Sequence, residues 1–248
     1  MIAIVQALVL AFACVFLLMP AYLRLLRHAG FGKRVRREFG PEWHIVKDGT
    51  PTMGGLLLTG IVIALALLLD AVDASTYAVL LALLGVTLLG AFDDWLNART
   101  GDGITARQKL LWQTGVAIIS AIYLQQHFAF NSLVVPFVGE VPIAPVLWIV
   151  VAVVAIVATS NGVNITDGID GLSSGTMTFA WISYMVIALL NAPGQVNLAI
   201  VCALIAGALV GFLWFNVHPA SVIIGDAGAL GFGAALAVTG LVTGHVLL

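Results

Sequence analysis

The sequence predicts an all-α fold, a polytopic transmembrane helical bundle of about eight spans, and two observations carry that reading. The 248-residue chain is 61% hydrophobic and only 9% charged, whereas soluble domains are roughly 45–50% apolar and about 25% charged. Its long apolar runs alternate with short polar connections, and a bilayer core of ~30 Å needs about 20 helical residues per crossing. A soluble fold is excluded on these grounds. Helices are the expected form of each span because lipid forces backbone groups to pair within the segment.

The spans run approximately from Ile2 to Leu26, Thr52 to Leu69, Ala74 to Phe92, Gln108 to Gln126, Ala144 to Thr159, Leu172 to Leu190, Val196 to Phe215 and Ala227 to Leu248. The first has no basic region before it and no small-residue cleavage site after it, so it reads as a retained span and not a signal peptide. Between the fourth and fifth, Phe128 to Pro142 mixes β-branched residues with Gly139 and two prolines, which predicts a small extracytoplasmic β-hairpin. Cys14 and Cys202 both fall in apolar runs without metal-ligand spacing and read as packing residues. No fixed-period repeat or low-complexity segment divides residues 1–248, so one integral membrane domain is expected.

Lys and Arg are retained on the cytoplasmic side of short loops. Arg24, Arg27, Lys33, Arg34, Arg36, Arg37 and Lys47 lie at the first connection and Arg99, Arg107 and Lys109 at the third, which accounts for all ten basic residues. The alternate connections have none, so both termini are expected outside. The same topology puts the fifth and seventh connections inside, and these carry acids: Asp167, Asp170 and Asp226 join Asp93 and Asp94 beside one interface.

Asp93 and Asp94 follow the apolar run VTLLGAF, where ionised groups are costly without a partner or a function. A solvated loop start is the plain alternative. Adjacent carboxylates repel, and a divalent cation, or a phosphate held through it, would relieve that repulsion. In NGVNITDGIDGL, Asn164, Asp167 and Asp170 alternate with Gly162, Gly168 and Gly171, which suits close approach of a ligand, although Asp170 could equally cap the next helix. Asn216 and Asp226 bracket the last polar connection. Asp226 suits Mg²⁺, which takes one or two protein carboxylates plus phosphate oxygens and waters, and an N-cap role is its rival. His218, beside Pro219, reads as a loop histidine. In HIVKDGTPTMGG, Lys47 and Thr50 flank a tight turn able to meet phosphate oxygens, and topology alone would also explain Lys47. Lys109 opens the fourth span. DGITAR, from Asp102, begins like a CDP-alcohol phosphotransferase signature, but the later positions hold Val116, Ser120 and Leu124, so that reading fails.

Together KDGTPTMGG, GAFDDWLN, ITARQKLLWQ, NGVNITDGIDGL and FNVHPASVIIGDAGALG resemble the phospho-N-acetylmuramoyl-pentapeptide transferases, the MraY-type translocases of peptidoglycan synthesis within the polyprenyl-phosphate HexNAc-1-phosphate transferases. The resemblance runs through essentially the whole chain in the family's order. It implies that UDP-MurNAc-pentapeptide and undecaprenyl phosphate give lipid I and UMP with Mg²⁺ as cofactor, at the cytoplasmic face of the bacterial inner membrane. Membrane lipid is an implied partner, nucleic acid is not, and a homodimer is compatible. By the same resemblance Asp226 and Asp94 ligate Mg²⁺, and Asp93 positions or deprotonates the lipid phosphate with Asp94 assisting. Lys47, Thr50, Asn164, Asp167, Gly168, Asp170 and Asn216 shape the nucleotide and pyrophosphate site, and Lys109 offsets phosphate charge. Direct attack and a route through an aspartyl phosphate both fit.

Members of this family continue past the GDAG helix through further spans and a loop bearing a histidine cluster, whereas this sequence ends at Leu248. A fragment lacking the C-terminal spans is therefore expected. Three other readings compete: a UDP-N-acetylglucosamine transferase of the same superfamily, an inactive truncated homologue, and a transporter. Transporters place coupling acids near the bilayer midplane, and here the acids lie at span ends.

Overall fold

In the computed structural model, residues 2–32, 49–135, 137–191 and 193–245 are described, and they form eight helices and one hairpin. The helices are α1 (Ile2–His28), α2 (Gly54–Leu68), α3 (Ala74–Thr100), α4 (Ala106–Phe128), α5 (Pro145–Thr166), α6 (Leu172–Leu190), α7 (Val196–Asn216) and α8 (Gly225–Thr243). Each predicted span coincides with one of them. Six, namely α1, α3 and α5 to α8, are long and apolar enough to cross a membrane. The other two differ for physical reasons. α2 has 15 residues, about 22 Å at 1.5 Å per residue, and α4 carries Arg107, Gln108, Lys109, Gln113, Gln125 and Gln126 along an otherwise apolar run.

Local chemistry sets the helix ends. Asp73 closes a capping box on α3, accepting from the Ser75 and Thr76 amides while the Thr76 hydroxyl accepts from the Asp73 amide. Thr105 and Gln108 do the same for α4. Pro145 begins α5, where its missing N–H costs nothing. α3 runs on to Gly101, two turns beyond the predicted span end, so Asp93 and Asp94 are helical and buried and do not start a loop. α5 likewise continues through Asn164.

The centre of the bundle is built on α7 and α8. Every residue of α8 is buried except Asp226 and Leu236. α8 packs against α3 and α5, α7 packs against α1 and α6, and α2 lies against both central helices. Without a hydrophobic drive between helices in lipid, close contact depends on small residues. A Cβ on Gly90 of α3 would overlap the Asp226 carbonyl, and one on Gly55 of α2 would overlap the Gly228 backbone. The outer surface carries Leu17, Leu25, Leu68, Phe179 and Trp214, all largely exposed, as a lipid-facing surface requires.

β1 (Ser132–Val135) and β2 (Gly139–Pro142) form the expected hairpin, antiparallel with Ser132 opposite Pro142 and Val135 opposite Gly139. The Ser132 hydroxyl donates to the Glu140 carboxylate. The hairpin lies beside Leu241 and Gly244 at the C-terminal end of α8, opposite to the first turn of that helix, which holds Asp226.

Candidate functional site

The chain from Pro51 to Gly55, five of the seven residues of the GTPTMGG motif, forms a hydrogen-bonded seam at the polar end. Thr52 N donates to Phe31 O at 3.1 Å on one side, and Ile223 N donates to Pro51 O at 2.8 Å on the other. Gly54 N and Gly55 N continue the second side, to Ile223 O and Ile224 O. Tyr22 fixes the seam from α1, its hydroxyl donating to Met53 O at 3.0 Å. The seam carries Thr52 to Asp94, where the Thr52 hydroxyl donates to Oδ1 at 3.3 Å. Ala227 N, in the first turn of α8, donates to Asp94 Oδ2 at 3.2 Å. Gly225 permits that approach: its φ of +75° is a left-handed conformation, and a Cβ there would meet Asp94 and the Thr52 hydroxyl.

One turn of loop beyond α3 closes over Asp93. Ile104 N donates to Asp93 Oδ1 at 2.6 Å, and Gly103 leaves the room, since a Cβ would strike that carboxylate. Lys109 Nζ lies 2.6 Å from Asp93 Oδ2 and 2.5 Å from Asp226 Oδ2, so one ammonium bridges carboxylates from two helices. Asn164 Nδ2 from α5 donates to Asp226 Oδ1 at 2.9 Å. Asp226 sits in the first turn of α8, where the unpaired amides of the helix start favour negative charge. A cavity of about 540 Å³ opens over this group, lined by Asp93, Asp94, Asn97, Lys109 and Asp226 together with Gly101 and residues 103–106.

Of the residues singled out in the sequence, Asp93, Asp94, Lys109, Asn164 and Asp226 are brought together here. Asp167, Asp170 and Asn216 serve the adjoining connections in their described bonds. Ser173 Oγ donates to Asp167 Oδ1 at 2.6 Å. Asp170 Oδ2 accepts from His218 Nδ1 at 3.0 Å and from Ala220 N at 3.2 Å. Asn216 accepts from Gly171 N and the Ser174 hydroxyl and donates to Val222 O, which fastens the start of α6 to the loop before α8. Gly168 stands in the turn between α5 and α6, and Thr50 is half-buried just before the seam. Lys47 lies outside the described residues.

Sequence reasoning did not single out Thr52, Asn97, Gly103 or the Ile104 amide. Thr52 was legible only as part of a turn motif, and a backbone amide leaves no signature in residue type.

No cluster of three or more acidic, His or Cys side chains able to hold a metal ion occurs among the described residues. Mg²⁺ does not need one, because phosphate oxygens and waters complete its shell. The ammonium of Lys109 already occupies a cation position between two hard carboxylate oxygens, and Asp94 and Asp226 are joined through the first turn of α8. Carboxylate oxygens are the hard donor type that magnesium takes.

The bundle and its polar end define a multi-pass helical membrane protein with a carboxylate and lysine site at one end of its helices. The chain belongs to glycosyl transferase family 4, whose profile matches residues 76–244, and the resemblance read from the motifs holds at that level. It is 40% identical to a phospho-N-acetylmuramoyl-pentapeptide-transferase of Chloroflexus aurantiacus, over 96% of this chain and 67% of the relative. Enzymes of the same name from Neisseria meningitidis and Rubrobacter xylanophilus are 39% and 36% identical, over 94% and 98% of this chain and 70% and 76% of theirs. The chain thus spans about two thirds to three quarters of the length of these curated relatives.

Proposed function

We propose that this protein transfers phospho-MurNAc-pentapeptide from UDP-MurNAc-pentapeptide to undecaprenyl phosphate, giving lipid I and UMP, as one domain of a bacterial inner membrane with its site facing the cytoplasm. The single observation that carries the reading is the Lys109 bridge between Asp93 and Asp226 at the wall of the cavity. Identity of 36–40% to relatives bearing that enzyme name supports the substrate choice.

The acceptor's tail stays in lipid while its phosphate must meet a cytosolic nucleotide, so the reacting groups belong at helix ends. Asp93, held by the Ile104 amide, accepts a proton from the acceptor phosphate or orients it. An acceptor oxygen then attacks the phosphorus that bears the sugar, and the bond to the UMP oxygen breaks. Lys109 moves its charge from the two carboxylates to the phosphates. Asp226 and Asp94 would hold Mg²⁺, which when bound would supply charge neutralisation for the diphosphate and the leaving UMP. Asn164 orients Asp226, and Asp167, Asp170 and Asn216 set the connections on which the nucleotide lies. Positioning and electrostatic stabilisation supply most of the rate in such transfers.

The test is Mg²⁺-dependent UMP release from UDP-MurNAc-pentapeptide with undecaprenyl phosphate, run beside UDP-N-acetylglucosamine. Asp226→Ala and Asp93→Asn should each reduce release by about 10²-fold or more. Unchanged rates in both would remove the site, and preference for UDP-N-acetylglucosamine would reassign the substrate.

A further inference from the structure

One turn deeper than the site, toward the middle of the bundle, lies a second polar pair. Gln113 follows Lys109 by four residues on α4, and Asn161 precedes Asn164 by three on α5, so each shares a helix face with the group above it. Asn161 Nδ2 donates to Gln113 Oε1 and to Val157 O, both at 2.8 Å. Gln113 is 1% exposed and its Nε2 has no acceptor among the described residues. A leucine of similar bulk would fill the same place without a buried donor left unmatched. The glutamine is a local inconsistency in an apolar bundle, and such positions concentrate near function.

Its geometry shows what it does. Lys109 and Asn164 come from different helices and take opposite oxygens of one carboxylate, Asp226 Oδ2 and Oδ1. Both reach it only if α4 and α5 keep one spacing and one rotation. Among the described residues, the Asn161–Gln113 bond is the only side-chain hydrogen bond joining these two helices.

We propose that Gln113 and Asn161 are a positioning pair that locks α4 to α5 so that Lys109 and Asn164 engage Asp226 together. The catalytic consequence rests on the transferase reading given above; the structural consequence does not. Neither residue touches substrate. Gln113→Leu and Asn161→Leu should each lower kcat for UMP release from UDP-MurNAc-pentapeptide by about 10- to 100-fold, the scale of a misplacement near 1 Å, with KM held within about twofold. The double variant should lose no more than either single, because the pair acts as a unit. The exchanged pair Gln113→Asn with Asn161→Gln keeps the combined reach and should recover most of the rate. Ser120→Ala removes a different buried polar group of α4, a hydroxyl with no partner among the described residues, and serves as the control.

A second readout needs no turnover. Modification of Lys109 by an amine-reactive ester in detergent, followed by peptide mass, should rise in Gln113→Leu and Asn161→Leu and stay at the wild-type level in Ser120→Ala and in the exchanged pair. Wild-type protein without UMP release would defeat the transferase reading, while the labelling would still decide the pair. Unchanged labelling in both leucine variants, or losses that add in the double variant, would overturn the proposal.

Discussion

Asp93, Asp94 and Asp226 stand beside Asp167 and Asp170 at the same end of the bundle, yet the first three wall the cavity, whereas in the bonds described the other two fasten the connections that carry them. What separates the two groups is where their partners sit: Lys109 and Asn164 bring side chains from two other helices to Asp226, whereas Asp170 takes His218 and Ala220 of a connecting loop. A carboxylate whose partners lie at a helix start beside it or in a neighbouring connection organises a loop. One whose partners arrive from other helices joins several elements at a point, and its charge faces whatever enters between them. Acid-rich motifs of similar appearance can therefore do different work.

The sharpest break of this comparison is Lys109→Met. It keeps the length of the side chain and leaves Asp93 and Asp226 facing one another without the ammonium between them. UMP release should fall by about 10²- to 10³-fold, the cost of removing a charge-stabilising donor. A change under about threefold would place Lys109 with the structural group. Gly90→Val is next. Its side chain would displace the Asp226 backbone, and overpacking of this kind costs roughly 1–3 kcal/mol. A lower melting midpoint in detergent and reduced UMP release should appear together; full activity would show that the Asp226 turn tolerates movement.

Much of this was legible in the sequence. Apolar run length located all eight helices, and the alternation of basic residues put Asp93, Asp94, Lys109, Asn164 and Asp226 at one end. Their convergence followed because helix ends in a bundle are neighbours. Hydropathy could not show that α3 continues to Thr100, since a helix beyond the bilayer needs no apolar face, so Asp93 and Asp94 read as the end of a span. By length and composition six of the eight helices qualify as crossings, and α2 and α4 fall short of that measure. The use of Asp170 as an anchor for His218 and Ala220 had no signal, because the partners lie 48 and 50 residues away in a connection of unremarkable composition.

Asp170→Asn tests the other half of the comparison. Its carboxyl side chain is 8% exposed, and weakening a buried charged hydrogen bond costs about 1.5–3 kcal/mol. The melting midpoint should drop while UMP release stays within about tenfold of wild type. A hundredfold loss of activity with an unchanged midpoint would move Asp170 into the chemistry of the cavity.

The smallest effect is expected from His218→Ala. The imidazole is 75% exposed, so solvent screens its interaction with Asp170 and the pair contributes about 0–1 kcal/mol. The Ala220 amide still donates to the same oxygen, and the 217–224 connection keeps its bond from Asn216 to Val222 O. Activity and melting midpoint should both remain near wild type. A large loss of turnover in this variant alone would show that the exposed ring acts on substrate and not on the loop, and the division between cavity-facing and loop-fastening groups would have to be redrawn with His218 on the catalytic side.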